Sequence, residues 1–229
     1  MAKGKGSVPT GRRATVRVKT AKGRTTSSQR WLQRQLNDPY VVEAKKRGYR
    51  SRAAFKLLQI DDQFRFLKVG ARVVDLGAAP GGWTQVAVER VKPERGKGIV
   101  IGIDITPVEP IAGATVLAKD FYDDDAPAVL TALLAGPADV VLSDMAASAT
   151  GDTQTDHLRI MGLAEAAHDF ARQVLKPGGT FVAKVLRGGT ERTLLDRLKR
   201  DFVRVRHVKP EASRADSAEM YVVGTGFRG

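Results

Sequence analysis

The alternation of short apolar segments with helical patterns after residue 71 restricts the fold of this chain more than any other feature. Seven segments are apolar, rich in β-branched residues and short enough to be strands: ARVVDL, GKGIVIGID, ATVLAKD, ADVVLSD, GTFVAKVL, VRVRHVK and AEMYVVGTGF. Apolar strands that alternate with helices belong to parallel sheets covered on both faces. Only a loop separates the last two segments, which predicts an antiparallel pair at one edge. We therefore predict an α/β fold with a seven-stranded, mostly parallel sheet and helices on both faces.

Positive charge is concentrated in the first quarter of the chain. Residues 1–60 contain 16 lysines and arginines and two acids, whereas the remainder contains 22 basic and 23 acidic residues. Residues 1–28 are rich in Gly, Ser, Thr, Lys and Arg, so we predict a basic tail that is disordered when free. We interpret it as an arm that contacts the phosphates of RNA or DNA. A solvated tail without a dedicated partner is the alternative.

A helical segment is predicted between the tail and the first strand. Ser28 is the expected N-cap of a first helix that continues to about Asn37 and is broken by Asp38-Pro39. The residues from Val41 to Ile60 have a helical pattern in two pieces, interrupted near Gly48. The predicted organisation is a tail, an RNA-facing helical segment and an α/β core, with the last two in one domain: 1–28, 29–60 and 61–229, the domain being 29–229.

The residue types present exclude several kinds of site. The chain has no cysteine, which excludes disulfides, thiolate metal sites and cysteine nucleophiles. His157, His168 and His207 lack the spacing of metal ligands, so we predict no metal site. No apolar run approaches the ~20 residues that span a bilayer, and the N-terminus lacks the apolar core of a secretory signal. We therefore expect a cytoplasmic protein with no membrane contact.

A glycine-rich turn after the first predicted strand is the first candidate ligand site. The strand ends around Asp75, and the segment GAAPGGW then leads into a helix. Ligands of open α/β sheets bind at the carboxyl ends of the strands, where small residues allow close approach. The turn does not match the G-x-G-x-x-G pattern that binds a pyrophosphate, which disfavours a nucleotide-dependent oxidoreductase. The charge of Asp75 favours a cationic or zwitterionic ligand instead.

Acidic residues also end the next three predicted strands. Asp104 ends the second strand, where a carboxylate commonly accepts hydrogen bonds from ribose hydroxyls. Asp120 follows the third strand and could accept a bond from an adenine amino group, and Asp144 follows the fourth. Any one of them could simply cap a loop, as aspartate often does. Four acids in series at one edge of the sheet indicate a binding site.

The segment FVAKVL places Lys184 in the middle of an apolar strand. A lone ammonium group in a buried strand costs free energy unless a carboxylate accepts its charge or the group becomes neutral. A lysine in a strand more often faces water at an edge. Taken alone, this lysine therefore leaves both interpretations open.

Taken together, the segments DLGAAPGGW, SDMA, FVAKV and SRADSAEMYVV resemble the FtsJ/RrmJ (RlmE) family of S-adenosylmethionine-dependent RNA ribose 2′-O-methyltransferases. The resemblance extends over about residues 40–229. It implies a Rossmann-like methyltransferase fold and S-adenosyl-L-methionine as cofactor. It also implies methylation of a uridine ribose in the 23S ribosomal RNA of the large (50S) subunit. We expect a monomer.

The same resemblance assigns candidate functional residues. The family carries a tetrad of two lysines and two acids, which corresponds here to Lys56 (in SRAAFKL), Asp144, Lys184 and Glu219. Asp75 is expected to shape the site near the methionine part of the cofactor. The full set of expected cofactor-binding residues is Asp75, Gly77, Gly81, Gly82, Trp83, Asp104, Asp120 and Asp144.

Lys184 is the candidate general base that removes the proton of the ribose hydroxyl. Asp144 favours the charged lysine, whereas burial, Lys56 and the sulfonium of the cofactor favour the neutral one. Because two lysines and two acids sum to zero charge, we expect bound cofactor to shift the cluster towards a neutral Lys184. Lys56 is expected to steer the ribose or its phosphate, and Glu219 to orient a lysine or the substrate hydroxyl.

Three departures from the family pattern border the expected RNA pocket. Ala147-Ser148 follows SDMA in place of Pro-Asn, Arg187-Gly188-Gly189 stands where an aromatic residue and a glutamine are expected, and Ala54 replaces a large aromatic residue. These departures bear on substrate choice more than on the chemistry. A tRNA 2′-O-methyltransferase of the same superfamily and a non-catalytic, RNA-binding ribosome-assembly factor remain as alternatives.

Overall fold

The computed structural model describes the chain apart from most of the N-terminal tail and three short internal gaps. The described residues are 6, 16, 23, 25–96, 98–147, 150–187 and 192–229. Ser148 and Gly188-Gly189, which are predicted to border the RNA pocket, lie outside the described residues. So does the predicted basic tail, except for three isolated positions and the start of the first helix.

Within the described residues, seven strands form one sheet in the order β3-β2-β1-β4-β5-β7-β6. The strands are β1 (Arg72–Leu76), β2 (Ile99–Asp104), β3 (Thr115–Ala118), β4 (Ala138–Ser143), β5 (Leu175–Leu186), β6 (Phe202–Val208) and β7 (Glu219–Phe227). Neighbouring strands are parallel except at β7, which is antiparallel to both β5 and β6. The predicted sheet is confirmed, including the antiparallel pair at one edge, where β6 is outermost and β7 lies one place in.

Helices cover both faces of the sheet, as predicted. The helices of the described ranges are α1 (Thr26–Asn37), α2 (Pro39–Arg47), α3 (Ala54–Phe64), α4 (Gly82–Val91), α5 (Ala126–Leu134), α6 (Thr153–Val174) and α7 (Arg192–Asp201), with a short 3-10 helix (Pro93–Arg95) after α4. One apolar layer lies between the sheet and α3 and α4, and the other between the sheet and α5, α6 and α7. The helices therefore bury both faces of the central strands, which is why those strands are apolar throughout.

Successive residues of the central strands are buried on opposite faces. In β1, Val73 belongs to the layer under α3 and α4, and Val74 to the layer under α5, α6 and α7. In β5, Phe181 belongs to the second layer and Val182 to the first. Lys184 follows Val182 by two residues, so it shares the face that α3 and α4 cover.

The start of α1 differs from the prediction. The N-cap is Thr25, whose hydroxyl accepts a hydrogen bond from the backbone N–H of Ser28 at 3.3 Å. Ser28 therefore lies in the first turn, and its prediction as the cap is wrong. The predicted breaks are confirmed, because α1 ends before Asp38 and α2 ends at Gly48, whose positive φ of 76° suits glycine.

The end of α6 also differs from what the sequence predicts. The turn residues Lys176-Pro177-Gly178-Gly179 predict a loop that closes the helix, but β5 begins at Leu175, directly after α6. Pro177 has no N–H to donate, and Gly178 has a φ of 81°. The pairing with β4 shifts its register between Ala138 and Val140. The strand tolerates these residues because they lie in this irregular first part.

The described ranges contain no candidate for a membrane span or a metal centre. No helix of these ranges is long and apolar enough to cross a bilayer. In the same ranges, no group of three or more His, Asp or Glu side chains is arranged to hold a metal ion.

Candidate active site

The topology brings the four predicted tetrad residues to one edge of the sheet. Asp144 directly follows β4, and Lys184 lies near the end of β5. Because these strands are parallel, their carboxyl ends meet at the same edge. β7 runs in the opposite direction, so its first residue, Glu219, lies at that edge as well. Lys56 reaches the cluster from α3, which covers this face of the sheet.

Lys184 and Asp144 form the inner ion pair of the cluster. Lys184 Nζ donates to the backbone oxygen of Asp144 at 2.7 Å and to Asp144 Oδ1 at 3.0 Å. The same Oδ1 accepts a hydrogen bond from the hydroxyl of Tyr221 at 2.9 Å. Lys184 and Tyr221 are partners in the β5–β7 register, so their side chains lie on the same face. The buried charge of Lys184 thus has the acceptor that its apolar surroundings require.

Lys56 and Glu219 form a second ion pair beside the first. Lys56 Nζ lies 2.6 Å from Glu219 Oε1 and 2.8 Å from Oε2. The hydroxyl of Ser213 donates to Glu219 Oε1 at 2.9 Å, and the hydroxyl of Ser217 accepts the backbone N–H of Glu219 at 3.1 Å. Side-chain exposure is only 12% for Lys56 and 17% for Glu219. These contacts hold the carboxylate in one orientation.

Tyr221 connects the two ion pairs electrostatically. Burial raises the pKa of Tyr221 well above its usual value, and the carboxylates of Asp144 and Glu219 raise it further. Burial alone would also raise the pKa of Asp144, but Lys184 and Lys56 together with two hydrogen bonds hold that pKa below its usual value. Asp144 is therefore ionised at neutral pH, and the Tyr221 hydroxyl keeps its proton and donates. The structure brings the tetrad together; the catalytic role of each member stays a prediction.

Residues 209–218, which connect β6 to β7, carry contacts that the sequence analysis did not single out. Gln59 of α3 accepts the backbone N–H of Ala212 at 2.8 Å through its Oε1. Arg52 donates to the backbone oxygen of the same residue. These bonds fasten the connection to α3, next to Ser213. Ser213 and Tyr221 could have been found, since both lie in the segment SRADSAEMYVV together with Glu219. No local signal marks Gln59.

The glycines after β1 pack closely against neighbouring segments of the protein. A Cβ on Gly77, which has a φ of 81°, would lie 2.7 Å from the backbone nitrogen of Met145. One on Gly81, with a φ of 113°, would lie 2.8 Å from Ile111 Cδ1. One on Gly82 would collide with the hydroxyl of Ser51. Close packing within the protein thus requires these glycines, and their contact with the cofactor stays a prediction.

Trp83 is part of the core beneath this turn. Its side chain is 2% exposed, and its indole N–H donates to the backbone oxygen of Ala53 at 2.9 Å. Its ring lies 5.4 Å from that of Tyr221, centroid to centroid. The structure therefore gives Trp83 a packing role between α4 and the cluster, and a direct cofactor contact stays a prediction.

Asp104 and Asp120 lie where a nucleoside would be expected. Asp104 accepts the backbone N–H of Ala79 at 2.9 Å and that of Thr106 at 2.7 Å, and Asp120 accepts the N–H of Tyr122 at 2.9 Å. These bonds orient carboxylates that can accept further bonds from hydroxyl or amino groups. An open depression of about 580 Å³ lies beside them; it is lined by Ile105, Leu117, Ala118, Lys119, Asp120, Asp123 and Val129. Ile105 is 72% exposed and offers an apolar surface for a base. The two carboxylate acceptors and the size of the depression fit the adenosine part of S-adenosyl-L-methionine.

Asp75 is buried beneath this region. One carboxylate oxygen accepts the hydroxyl of Thr84 at 2.7 Å, and the other has no hydrogen-bond partner within the described residues. Burial raises the pKa of Asp75 to about 7, and Asp144 and Asp104 add to the rise against the hydrogen bond from Thr84. An unpartnered buried carboxylate oxygen is an acceptor for a cationic ligand such as a sulfonium or an ammonium group.

We expect Asp75→Asn to change the pH dependence of stability. An unfolded aspartate has a pKa of about 3.9, whereas the folded group titrates at about 7. Between these values the folded protein binds a proton that the unfolded chain has lost, so wild-type stability falls as the pH rises. The free energy of unfolding of Asp75→Asn relative to wild type should increase by up to about 4 kcal/mol from pH 4 to pH 8. Urea titrations across this range measure it.

The control for this measurement is Asp124→Asn, which changes an exposed carboxylate before α5. Its stability should follow the wild-type pH dependence throughout. If wild type and Asp75→Asn also remain parallel across the range, Asp75 does not titrate with a raised pKa.

The fold and this edge of the sheet together define the class of the protein. The sheet has the order 3-2-1-4-5-7-6 with β7 antiparallel, helices cover both of its faces, and acids lie at the carboxyl ends of its strands. This is the architecture of the Rossmann-like methyltransferases, which use S-adenosyl-L-methionine. The sequence matches the FtsJ-like methyltransferase family over residues 49–227. The chain belongs to this family.

Several relatives are similar over nearly the whole chain. A ribosomal RNA large subunit methyltransferase E of Paramagnetospirillum magneticum is 66% identical, with 98% of this chain and 93% of the relative covered. The protein of the same name from Xanthobacter autotrophicus is 63% identical over 96% of this chain and 87% of its own length. A crystal structure of a Plasmodium falciparum protein described as a ribosomal RNA methyltransferase has a TM-score of 0.69 and 31% identity, covering 79% of this chain and all of that one.

Proposed function

We propose that this protein methylates the 2′-hydroxyl of a uridine ribose in the 23S ribosomal RNA of the large ribosomal subunit. It acts as a monomer in the cytoplasm, with S-adenosyl-L-methionine as methyl donor. The observation that carries the proposal is the pair of adjoining ion pairs at the carboxyl edge of the sheet, Lys184–Asp144 and Lys56–Glu219. A buried lysine next to a donor site supplies the base that a weakly acidic hydroxyl needs.

The choice of RNA rests on two supports. Relatives more than 60% identical to this chain are named as large-subunit ribosomal RNA methyltransferases. The first 60 residues carry 16 lysines and arginines against two acids, which suits a polyanionic substrate. A ribose 2′-hydroxyl is present in RNA and absent from DNA.

The residues around the β1 turn would hold the methyl donor. S-adenosyl-L-methionine supplies a methyl group on a positively charged sulfur. Asp104 and Asp120 are available to accept bonds from its ribose and adenine, and Ile105 offers an apolar surface. Asp75 offers an unpartnered carboxyl oxygen from beneath the turn. Glycines at 77 and 81 fix the shape of the turn, since any side chain there would displace neighbouring segments.

Lys184 is the residue that accepts the proton of the ribose hydroxyl. It must be neutral at that moment, because an ammonium group has no lone pair. The tetrad carries two positive and two negative groups, so an added positive charge nearby favours the release of one proton from the cluster. Asp144 orients Lys184 through two hydrogen bonds, and Tyr221 keeps Asp144 in place.

Lys56 and Glu219 position the substrate. The ammonium of Lys56 lies 5.8 Å from the centroid of the Tyr221 ring, beside the inner ion pair. A partly exposed ammonium there can bind a phosphate or a ribose oxygen of the RNA. Glu219, fixed by Ser213, sets the position of Lys56. Positioning of this kind supplies much of the acceleration in a transfer between two bound groups.

Mapping of 2′-O-methyl groups in RNA tests the proposal. Large subunits from a strain that lacks this protein are incubated with the purified protein and labelled S-adenosyl-L-methionine, and the RNA is analysed by mass spectrometry and primer extension. We expect one new 2′-O-methyluridine in 23S RNA. Methylation of tRNA alone would favour the tRNA enzyme of the same superfamily. The absence of transfer to any RNA, with cofactor bound, would favour a non-catalytic assembly factor.

The basic tail is proposed to contribute binding affinity that does not depend on the RNA sequence. Removal of residues 1–24, which keeps the Thr25 cap of α1, should weaken binding to large subunits and flatten its salt dependence. The measurement is filter binding over a series of salt concentrations. A variant with the same 24 residues in shuffled order is the control and should bind like wild type. Equal affinity and salt slope for the truncated and full-length proteins would contradict the proposed role of the tail.

A further inference from the structure

The outer edge of the sheet carries a second concentration of positive charge, separate from the tail. Residues 199–209 contain five lysines and arginines and one acid, Asp201, although the chain beyond residue 60 is nearly neutral. Asp201 is already engaged, since its Oδ2 lies 3.1 Å from Arg172 Nε and 3.2 Å from His168 Nε2. The remaining positive charge of this segment is therefore not neutralised within it.

Two arginines of β6, Arg204 and Arg206, lie at the centre of this segment, and we name them the edge arginines. Both are exposed. In the described part of the chain, neither side chain forms an ion pair, a hydrogen bond or a ring contact. β6 is the outermost strand, so nothing in the described sheet covers their open side. The edge arginines are thus free to bind an anion.

The strand register relates the edge arginines to the tetrad. Val208 of β6, Tyr221 of β7 and Lys184 of β5 form one row across three strands. Arg206 pairs with Val223, two rows further along the sheet, and Arg204 pairs with Thr225, four rows further. Since residues two apart in a strand share a face, Arg206 and Val208 lie on the face of Tyr221 and Lys184. The Cα of Arg206 is then roughly 12 Å from that of Lys184, from strand spacing and rise.

We propose that the edge arginines bind phosphates of the substrate RNA and align its strand so that the target ribose reaches Lys184. The inference rests on the proposed function, because it takes RNA as the substrate. Arginine suits this task, since its guanidinium binds a phosphate through two parallel hydrogen bonds. Arg204 and Arg206 occupy neighbouring positions on one face of β6, about 7 Å apart along the strand. They form a track on the side of the tetrad away from the adenosine site, which lies across the sheet at β2 and β3.

Phosphate binding differs from two further roles that physical chemistry allows for arginines on an edge strand. Charged side chains on an edge strand prevent pairing with the edge of another molecule. An open edge can also accept a peptide as an additional strand. Both of these roles involve the backbone of β6, whereas phosphate binding depends on the charge of the side chains. The test therefore changes the charges and keeps the backbone.

The test is the double variant Arg204→Gln/Arg206→Gln, with binding to unmethylated large subunits measured over a series of salt concentrations. We expect binding to weaken about tenfold. The slope of log K against log salt should decrease in magnitude by about 2, one for each lost phosphate contact. Affinity for S-adenosyl-L-methionine should remain within about twofold of wild type, because the proposed adenosine site lies at β2 and β3, across the sheet from β6.

Two matched variants complete the design. Lys68→Gln/Arg95→Gln removes the same charge from exposed residues that precede β1 and β2, several strands away from β6, and should bind like wild type. Arg204→Lys/Arg206→Lys keeps the charge and should retain most of the affinity and the full salt slope.

Wild-type affinity and salt slope in Arg204→Gln/Arg206→Gln would overturn the inference. If that variant also aggregates, as judged by size-exclusion chromatography, the arginines protect the edge instead. Equal losses in the Lys68→Gln/Arg95→Gln control would show a general effect of net charge and would overturn the inference as well. Failure of the wild-type protein to methylate large subunits would count against the proposed function. Methylation by wild type with unchanged binding by the variant would count against the edge arginines alone.

Discussion

Replacement of Lys184 by alanine is expected to reduce the single-turnover rate of methyl transfer by about 10²- to 10⁴-fold. The affinity for S-adenosyl-L-methionine should stay within about tenfold, or ~1.4 kcal/mol. The reason is the position of Lys184, whose ammonium contacts Asp144 and lies on the face that α3 covers, whereas the proposed adenosine site is at the ends of β2 and β3. Rapid-quench assays with labelled cofactor measure the rate, and titration calorimetry measures the affinity.

Two further variants test whether Lys184 is a general base or only a structural cation. Lys184→Arg keeps a positive charge beside Asp144, but arginine is not deprotonated in proteins. It should therefore be about as inactive as Lys184→Ala. Lys176→Ala removes a half-exposed lysine from the start of the same strand and should leave the rate unchanged. Substantial activity in Lys184→Arg would exclude Lys184 as the base, and loss of cofactor binding in Lys184→Ala would make it a binding residue.

Lys56→Met is expected to lower the transfer rate by about 10²-fold and the stability by about 1–3 kcal/mol. The variant leaves the carboxylate of Glu219 without its ion-pair partner, in a site where its side chain is only 17% exposed. The stability loss comes from this uncompensated charge. The activity loss comes from the missing ammonium that positions the RNA. Urea denaturation and single-turnover assays measure the two effects separately.

The double variant Lys56→Met/Glu219→Gln separates these two losses. It removes both charges, so most of the lost stability should return, because no unpaired carboxylate remains. The transfer rate should stay low, because the ammonium is still absent. If the rate recovers together with the stability, the ion pair is a structural feature and Lys56 does not position the substrate.

Much of the sheet was predictable because its signals are local. β-branched segments such as those around Val73 and Val182 are apolar on both faces, which only central strands require. The antiparallel end followed from the short connection between the last two strands. The start of α1 was not predictable, because Thr25 and Ser28 are both good caps and the choice depends on the backbone. The KPGG segment was misassigned because the pairing of Leu175 with Ala138 outweighs its turn residues.

The candidate site was predictable in part. Asp75, Asp104, Asp120 and Asp144 each lie at or just after the carboxyl end of a strand, so the parallel topology alone places them at one edge. The family resemblance assigns Trp83 and the turn glycines to the cofactor, and that contact stays a prediction. The structure shows their close contacts with Ala53, Met145 and Ser51. A glycine required by packing and a glycine required by a ligand have the same sequence signal.

The sequence by itself determined the fold class and the series of acids at the carboxyl ends of the strands. It also determined that Lys184 needs an anion, because that lysine lies in an apolar strand. The tertiary structure decided which anion: Asp144 is 40 residues away in the chain. It also decided the pairing of Lys56 with Glu219 across 163 residues and the hydrogen bond of Tyr221 to Asp144. The periodicity of the sequence shows which side chains of a helix or strand face the core. Which of them meet at the active site depends on the position of β7 between β5 and β6, which brings together residues that are distant in the chain.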